Sequence, residues 1–219
     1  MSSPARPGTF APQDELSSQP NLEIRNAMKR FIITGAPGAG KTAVIRHLEL
    51  EGFSVVEEAA TDIIAAAQAQ GTVEPWRDPS FIDEIARLQK QREIRGSYLP
   101  DGIQFHDRSV VCTAALAVYL GHPCSPFLTS ELERVKNEAV YQPQVFFLRN
   151  LGFITPTDAR RITFEESLRF EDIHEDTYRR FGFTLVYVEP GNVSARVSTI
   201  RAAIQREHQL RPSNSQGVS

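Results

Sequence analysis

The stretch Gly35-Ala36-Pro37-Gly38-Ala39-Gly40-Lys41-Thr42 constrains this chain more than any other. It follows a short apolar, β-branched run, Phe31-Ile32-Ile33-Thr34, that reads as a strand. It precedes Lys41 to Glu51, where Val44, Ile45 and Leu48 fall on one helical side before Gly52. The pattern is G-x-x-x-x-G-K-[ST] between a strand and a helix, the context that gives it meaning. Glycines here let the backbone curl so that successive N–H groups point at phosphate oxygens, and the helix N-terminus adds partial positive charge. Lys41 is expected to reach the β- and γ-phosphates, and Thr42 to offer its hydroxyl to Mg²⁺. Residues 35–42 therefore predict a nucleoside triphosphate site.

The alternation of strand and helix continues along the chain. Residues 53–56, 103–106, 144–148 and 184–188 read as strands. Residues 59–70, 110–119 and 164–180 read as helices, as does a stripe of Val197, Ile200 and Ile204 near the end. Asp78-Pro79 reads as a cap and first helical position, opening a helix with Phe81, Ile82, Ile85 and Leu88 at helical spacing. Five strands separated by helices imply an α/β fold of three layers, a parallel sheet with helices on both faces. Ligands of such sheets bind beyond the carboxyl ends of the strands. Residues 35–42, 57–62, 107–109 and 149–161 are therefore the places to look.

A chain of 219 residues fits one domain. The first 28 residues hold Pro4, Pro7, Pro12 and Pro20 without an apolar period, and 209–219 are similarly polar. Both are expected to be disordered tails around a domain at 29–208. A net charge of −3 gives no case for general nucleic-acid binding. No apolar run approaches a membrane span. Cys112 and Cys124 match no zinc spacing and are expected to be buried or half-buried free thiols. The N-terminus carries no secretory signal pattern, and Asp14 and Glu15 are out of place in an organellar leader, so a cytoplasmic location is expected.

Beyond the second strand, Glu58 and Asp62 are four apart and on a helix would share one face. Either is placed to accept a proton from an acceptor hydroxyl, or simply to favour a helix N-terminus by its charge. Glu57 is expected to face solvent. Beyond the third strand, Asp107 is a candidate Mg²⁺ ligand opposite Thr42, with a helix cap as the other use of such a residue. Arg108 offers a planar fork for a phosphate oxygen or a structural ion pair. His106 reads as structural. After the fourth strand, Arg160, Arg161 and Arg169 are candidates for a lid that delivers arginine to a transferring group, set among many carboxylates. Trp76, the one tryptophan, is either a staple under the following helix or a stacking surface for an acceptor.

With these residues in view, the chain resembles the small, single-domain AAA-type ATP-binding proteins that group with nicotinamide riboside kinases. The resemblance runs from about Phe31 to Ile204. It rests on GAPGAGKT at 35–42, Glu58-x-x-x-Asp62, His106-Asp107-Arg108-Ser109, His122-Pro123 with Phe127, and Asp158-x-x-Arg161. It implies a kinase-type P-loop fold with strand order 2-3-1-4-5, ATP with Mg²⁺ as donor, and an acceptor pocket around Glu58, Asp62 and Asp107. Two features depart from the riboside kinases. Ala59 stands where they carry an aromatic residue, and 106–109 look more like the Asp-Arg-Ser of deoxynucleoside kinases.

The expected activity is transfer of the γ-phosphoryl of ATP to a hydroxyl of a small, nucleoside-like acceptor. Glu58 or Asp62 would deprotonate that hydroxyl, and Arg108 and Arg160 would help hold the substrate. Lys41, Asp107 with its metal, and Arg161 would stabilise charge on the transferred group. The competing expectation is a regulatory module that binds ATP or GTP and hydrolyses it slowly while acting on a partner.

Overall fold

Phe31, Ile32 and Ile33 are wholly buried because their strand lies in the middle of the sheet, with helices over both faces. The computed structural model describes residues 28–99, 102–153 and 162–210, the side chains of 207, 208 and 210 excepted. In chain order the elements are β1 (Lys29–Thr34), α1 (Lys41–Leu50), β2 (Ser54–Val56), α2 (Ala60–Ala69), a 3₁₀ turn (Pro75–Arg77) and α3 (Ser80–Gly96). Then come β3 (Ile103–Asp107), α4 (Val110–Leu120), α5 (Pro126–Asn137), β4 (Gln144–Leu148), α6 (Phe164–Arg180), β5 (Thr184–Val188) and α7 (Val193–Leu210).

The sheet order is β2-β3-β1-β4-β5, and every neighbouring pair is parallel. This is the expected α/β fold and the expected strand order. Successive strand residues feed opposite layers, as the pleat requires. Phe31, Ile33, Phe146 and Leu148 join Val44, Leu48, Val197 and Ile200 in a core under α1 and α7. Ile32 and Val145 join Phe81, Ile85, Val111, Leu128 and Tyr178 in the core beneath α3, α4, α5 and α6.

Helix α5 was not expected from the sequence. Its signal was present: Ser125 caps it by accepting from the Leu128 N–H at 3.0 Å, Pro126 follows at the first position, and Leu128, Leu132 and Val135 are buried at helical spacing. The helix after Asp78-Pro79 begins one residue later than read, at Ser80, whose N–H donates to Asp78 Oδ1 at 2.8 Å. Helix α6 opens with a capping box in which the Glu166 N–H donates to Thr163 Oγ1 and the Thr163 N–H to Glu166 Oε2. Its inner face carries Phe170, His174 and Tyr178. Two of its carboxylates, Glu171 and Glu175, hold Arg149 at the end of β4. Among the described residues no helix is long and apolar enough to cross a membrane, and Cys112 and Cys124 are free thiols, the first buried and the second exposed.

Candidate functional site

The loop leaving β1 bends through glycines in conformations that other residues avoid. Gly35, Gly38 and Gly40 have φ of 142°, 85° and 74°. A Cβ at Gly35 would lie 2.4 Å from the Leu148 carbonyl oxygen, so the loop hugs the end of β4 and admits no side chain there. Lys41, buried as the first residue of α1, folds back so that its Nζ donates to the carbonyls of Gly35 at 3.0 Å and Ala36 at 3.3 Å. Thr42 follows on the exposed side of the first turn.

The end of β3 supplies a strained corner. Arg108 has φ of 71°, and its N–H donates to the Ile33 carbonyl at 3.0 Å, tying the corner to β1 beside the loop. Ser109, not Asp107, caps α4, since Ser109 Oγ accepts from the Val111 N–H. That leaves Asp107 available, and its Oδ1 is buried with no hydrogen-bond partner among the described residues. Burial first, and then the Glu58 carboxylate, push the Asp107 carboxyl up to about 6 against the pull of Lys41 and Arg108.

Glu58 precedes α2 rather than lying on it, so the helical argument that paired it with Asp62 fails. The two carboxylates diverge. Glu58 Oε1 lies 2.7 Å from Arg108 Nε, and its Oε2 accepts from Thr61 Oγ1 at 2.6 Å. Asp62 is turned outward, more than half exposed, and pairs with Arg92. Arg92 also donates to the Glu58 carbonyl, which pins the turn between β2 and α2. Glu57 faces solvent, as expected, and pairs with Arg46.

Arg108 is held from its other side by α6. His174 Nδ1–H donates to the Phe170 carbonyl at 2.8 Å, which leaves Nε2 as the acceptor for Arg108 Nη1 at 3.3 Å. Burial is the largest single effect and opposes the charge on Arg108, but Glu58, Cys112 and Asp107 together outweigh it and raise the guanidinium pKa above its ordinary value. His106 is structural: it is buried, its Nε2 bonds Gln104 Oε1 at 2.8 Å, and desolvation drives its pKa down to about 3.

Glu58 and Arg108 border a cavity of about 360 Å³ that reaches Pro37 of the loop at one end. Trp76, Phe81 and Phe170 give it flat apolar walls, and Gln89 adds an amide. Trp76 packs on the core, the first of the two uses read from the sequence, and it also lines the cavity. Gln89 was missed by sequence reasoning, although it continues the Phe81, Ile85 row of α3 as a polar residue where an apolar one belongs. Its amide is fixed, with Oε1 accepting from Thr113 Oγ1 at 2.6 Å and Nε2 donating to the Ser109 carbonyl at 3.2 Å. Phe170 and Glu166, also on the cavity wall, come from α6, whose inner face is legible only once the helix is docked. Arg160 and Arg161 lie outside the described residues, and Arg169 is exposed on α6.

The AAA domain model matches residues 30–196, most of the chain and the whole of this site. The chain belongs to the AAA domain family. No curated protein matches it in sequence. Among solved structures, the AAA domain superposes on the NadR protein in complex with NR with a TM-score of 0.64 and 16% identity, over 90% of this chain and 55% of that one. NadR in complex with NAD and AMP-PNP gives 0.59 and 19%, over 90% and 54%. Deoxyadenosine kinase from M. mycoides with products dCMP and dCDP gives 0.57 and 12%, over 81% of this chain and 99% of that one. The fold is thus that of P-loop kinases, and the chain spans about half the length of the NadR chains it matches.

Proposed function

We propose that the chain is a phosphotransferase that moves the γ-phosphoryl of ATP to a hydroxyl of a small, nucleoside-like acceptor. The observation that carries this reading is the place of Glu58, whose carboxylate borders the same cavity as Pro37 of the phosphate loop and is braced by Arg108 and Thr61. A carboxylate so held accepts the hydrogen bond of an acceptor hydroxyl and takes its proton as the oxygen attacks the γ-phosphorus. The bond from that phosphorus to the β–γ bridging oxygen breaks, and ADP leaves. Lys41 at the loop and the arginines Arg160 and Arg161 stabilise the charge spread over the transferred group.

Mg²⁺ fits the residues present. The unpartnered buried Oδ1 of Asp107 and the exposed hydroxyl residue Thr42 would hold it, and Mg²⁺ commonly takes one or two carboxylates and completes its shell with phosphates and water. Among the described residues no cluster of three or more acidic, His or Cys side chains forms an all-protein cage, which agrees with an ion carried by the triphosphate. When bound, the ion neutralises phosphate charge. The apolar walls and the fixed amide of Gln89 suit a flat ring bearing polar edges. Arg108 is the one cation among the described lining residues and is already paired with Glu58, which favours an acceptor without a phosphate of its own. The fold neighbours, NadR bound to NR and a deoxyadenosine kinase, support the same class.

The test is an ATP-consumption screen over nucleosides, sugars and amino alcohols, followed by Glu58→Gln on the acceptor that stimulates. The variant is expected to bind ATP normally and to lose about a hundredfold or more of the acceptor-dependent rate. A near wild-type rate would sink Glu58 as the base.

A further inference from the structure

Arg196, in the first turns of α7, is only 3% exposed, yet among the described residues no carboxylate is hydrogen-bonded to it, Glu189 acting on it only through its charge. A buried guanidinium is costly unless its donors are satisfied. Here the two Nη groups go to backbone carbonyls, while Nε is buried without a hydrogen-bond partner among the described residues. Nη1 donates to the Ala39 carbonyl at 2.7 Å, and Nη2 reaches the carbonyls of Arg149 at 3.3 Å and Val188 at 3.5 Å. One side chain thus joins the phosphate loop to the ends of β4 and β5. Its own placement is firm, because Asn192 Oδ1 accepts from the Ala195 N–H at 2.8 Å and so fixes the first turn of α7.

The contact with Ala39 has a consequence for Gly40. The peptide bond is planar and trans, so the Ala39 carbonyl and the Gly40 N–H point in opposite directions. Gly40, with φ of 74°, belongs to the segment of chain in which peptide planes are least constrained by side chains. Without an anchor, the 39–40 plane is free to turn over. A Cβ on Gly40 would sit 3.0 Å from Arg196 Nη1, which shows how closely the guanidinium backs the loop.

We propose that Arg196 is a positioning residue that holds the Ala39–Gly40 peptide with its N–H turned away from α7, towards the triphosphate. The inference rests on the triphosphate reading of the loop. It assigns to α7, remote in sequence, the task of keeping one phosphate-binding N–H in place. It also makes the ends of β4 and β5 part of the same device, since the one guanidinium grips all three.

The experiment is calorimetric titration of the full chain with ATP and, separately, with inorganic tripolyphosphate, for wild type, Arg196→Lys and Arg196→Met. Arg196→Met is expected to weaken both ligands about tenfold, the loss of one charge-assisted hydrogen bond at the loop. Arg196→Lys keeps a donor for Ala39 but not the fork, so it is expected to fall between the two. A folded Arg196→Met chain that binds both ligands like wild type, even with a lower melting temperature, would reduce Arg196 to a structural plug and overturn the inference. If Arg196→Met fails to melt cooperatively, wild-type affinity in Arg196→Lys would overturn it equally. Absence of binding in wild type would instead remove the triphosphate reading, and this inference with it.

Discussion

Glu58 and Lys41 show how much of the site depends on single side chains that are held rather than merely present. Lys41 Nζ rests on the carbonyls of Gly35 and Ala36, within the loop itself. Lys41→Ala is therefore expected to abolish the rise in melting temperature that ATP produces, measured by thermal denaturation with and without the nucleotide. An undiminished shift would remove the loop from the account. The loop was legible in the sequence because its chemistry is local, eight consecutive residues between a strand and a helix. Asp62 diverges from Glu58 because their spacing would put them on one face only if both lay on the helix, and α2 begins at Ala60. Gln89, His174 and Arg196 were invisible for a different reason. Each acts through a contact far away in the chain, with Thr113, Arg108 and Ala39 respectively, and spacing carries no trace of that.

At the scale of elements, strands and helices announced themselves by period, and only α5 escaped. Its cap, Ser125-Pro126, follows directly on a loop that already held a proline, Pro123, so the helix start was masked by turn residues. Helix α5 is fastened to α3 by Glu131, which receives Lys90 and Arg134, while Arg134 also holds the buried Glu93. Burial works to raise the Glu131 pKa, but hydrogen bonds from Lys90 and Arg134 prevail and hold it below the ordinary value. The sign follows. A carboxyl with a lowered folded pKa binds fewer protons folded than unfolded, so its contribution is complete above the unfolded pKa and is lost as pH falls through the folded one. Below about pH 4.5 the wild-type melting temperature is expected to fall more steeply than that of Glu131→Gln, which starts lower at neutral pH. Parallel pH profiles would contradict this role for the α3–α5 seam. A separate check on the loop's packing against β4 is Gly35→Ala, expected to lower the melting temperature sharply because its Cβ meets the Leu148 carbonyl. A small change would mean that the β1–loop junction is looser than described.

Over the whole molecule, a net charge of −3 conceals a directed arrangement of cations. Lys41 and Arg108 are gathered at the carboxyl ends of β1 and β3, and Arg196 spans the ends of β4 and β5 behind the loop. The acidic excess lies largely elsewhere, on exposed residues such as Glu49, Glu57, Glu138 and Asp176. The cavity beside Glu58 has no unpaired cation among its described lining residues. The proposed function places the donor phosphates at the loop and a neutral alcohol in the cavity. The measurement that tests this most directly follows the radiolabelled γ-phosphate of ATP incubated with the full chain and the stimulating acceptor. The account predicts that the label is recovered covalently on the acceptor, and that Glu58→Gln leaves it on ATP. Label recovered only as inorganic phosphate, at a slow rate that no acceptor changes, would contradict it and make the chain a nucleotide-hydrolysing switch.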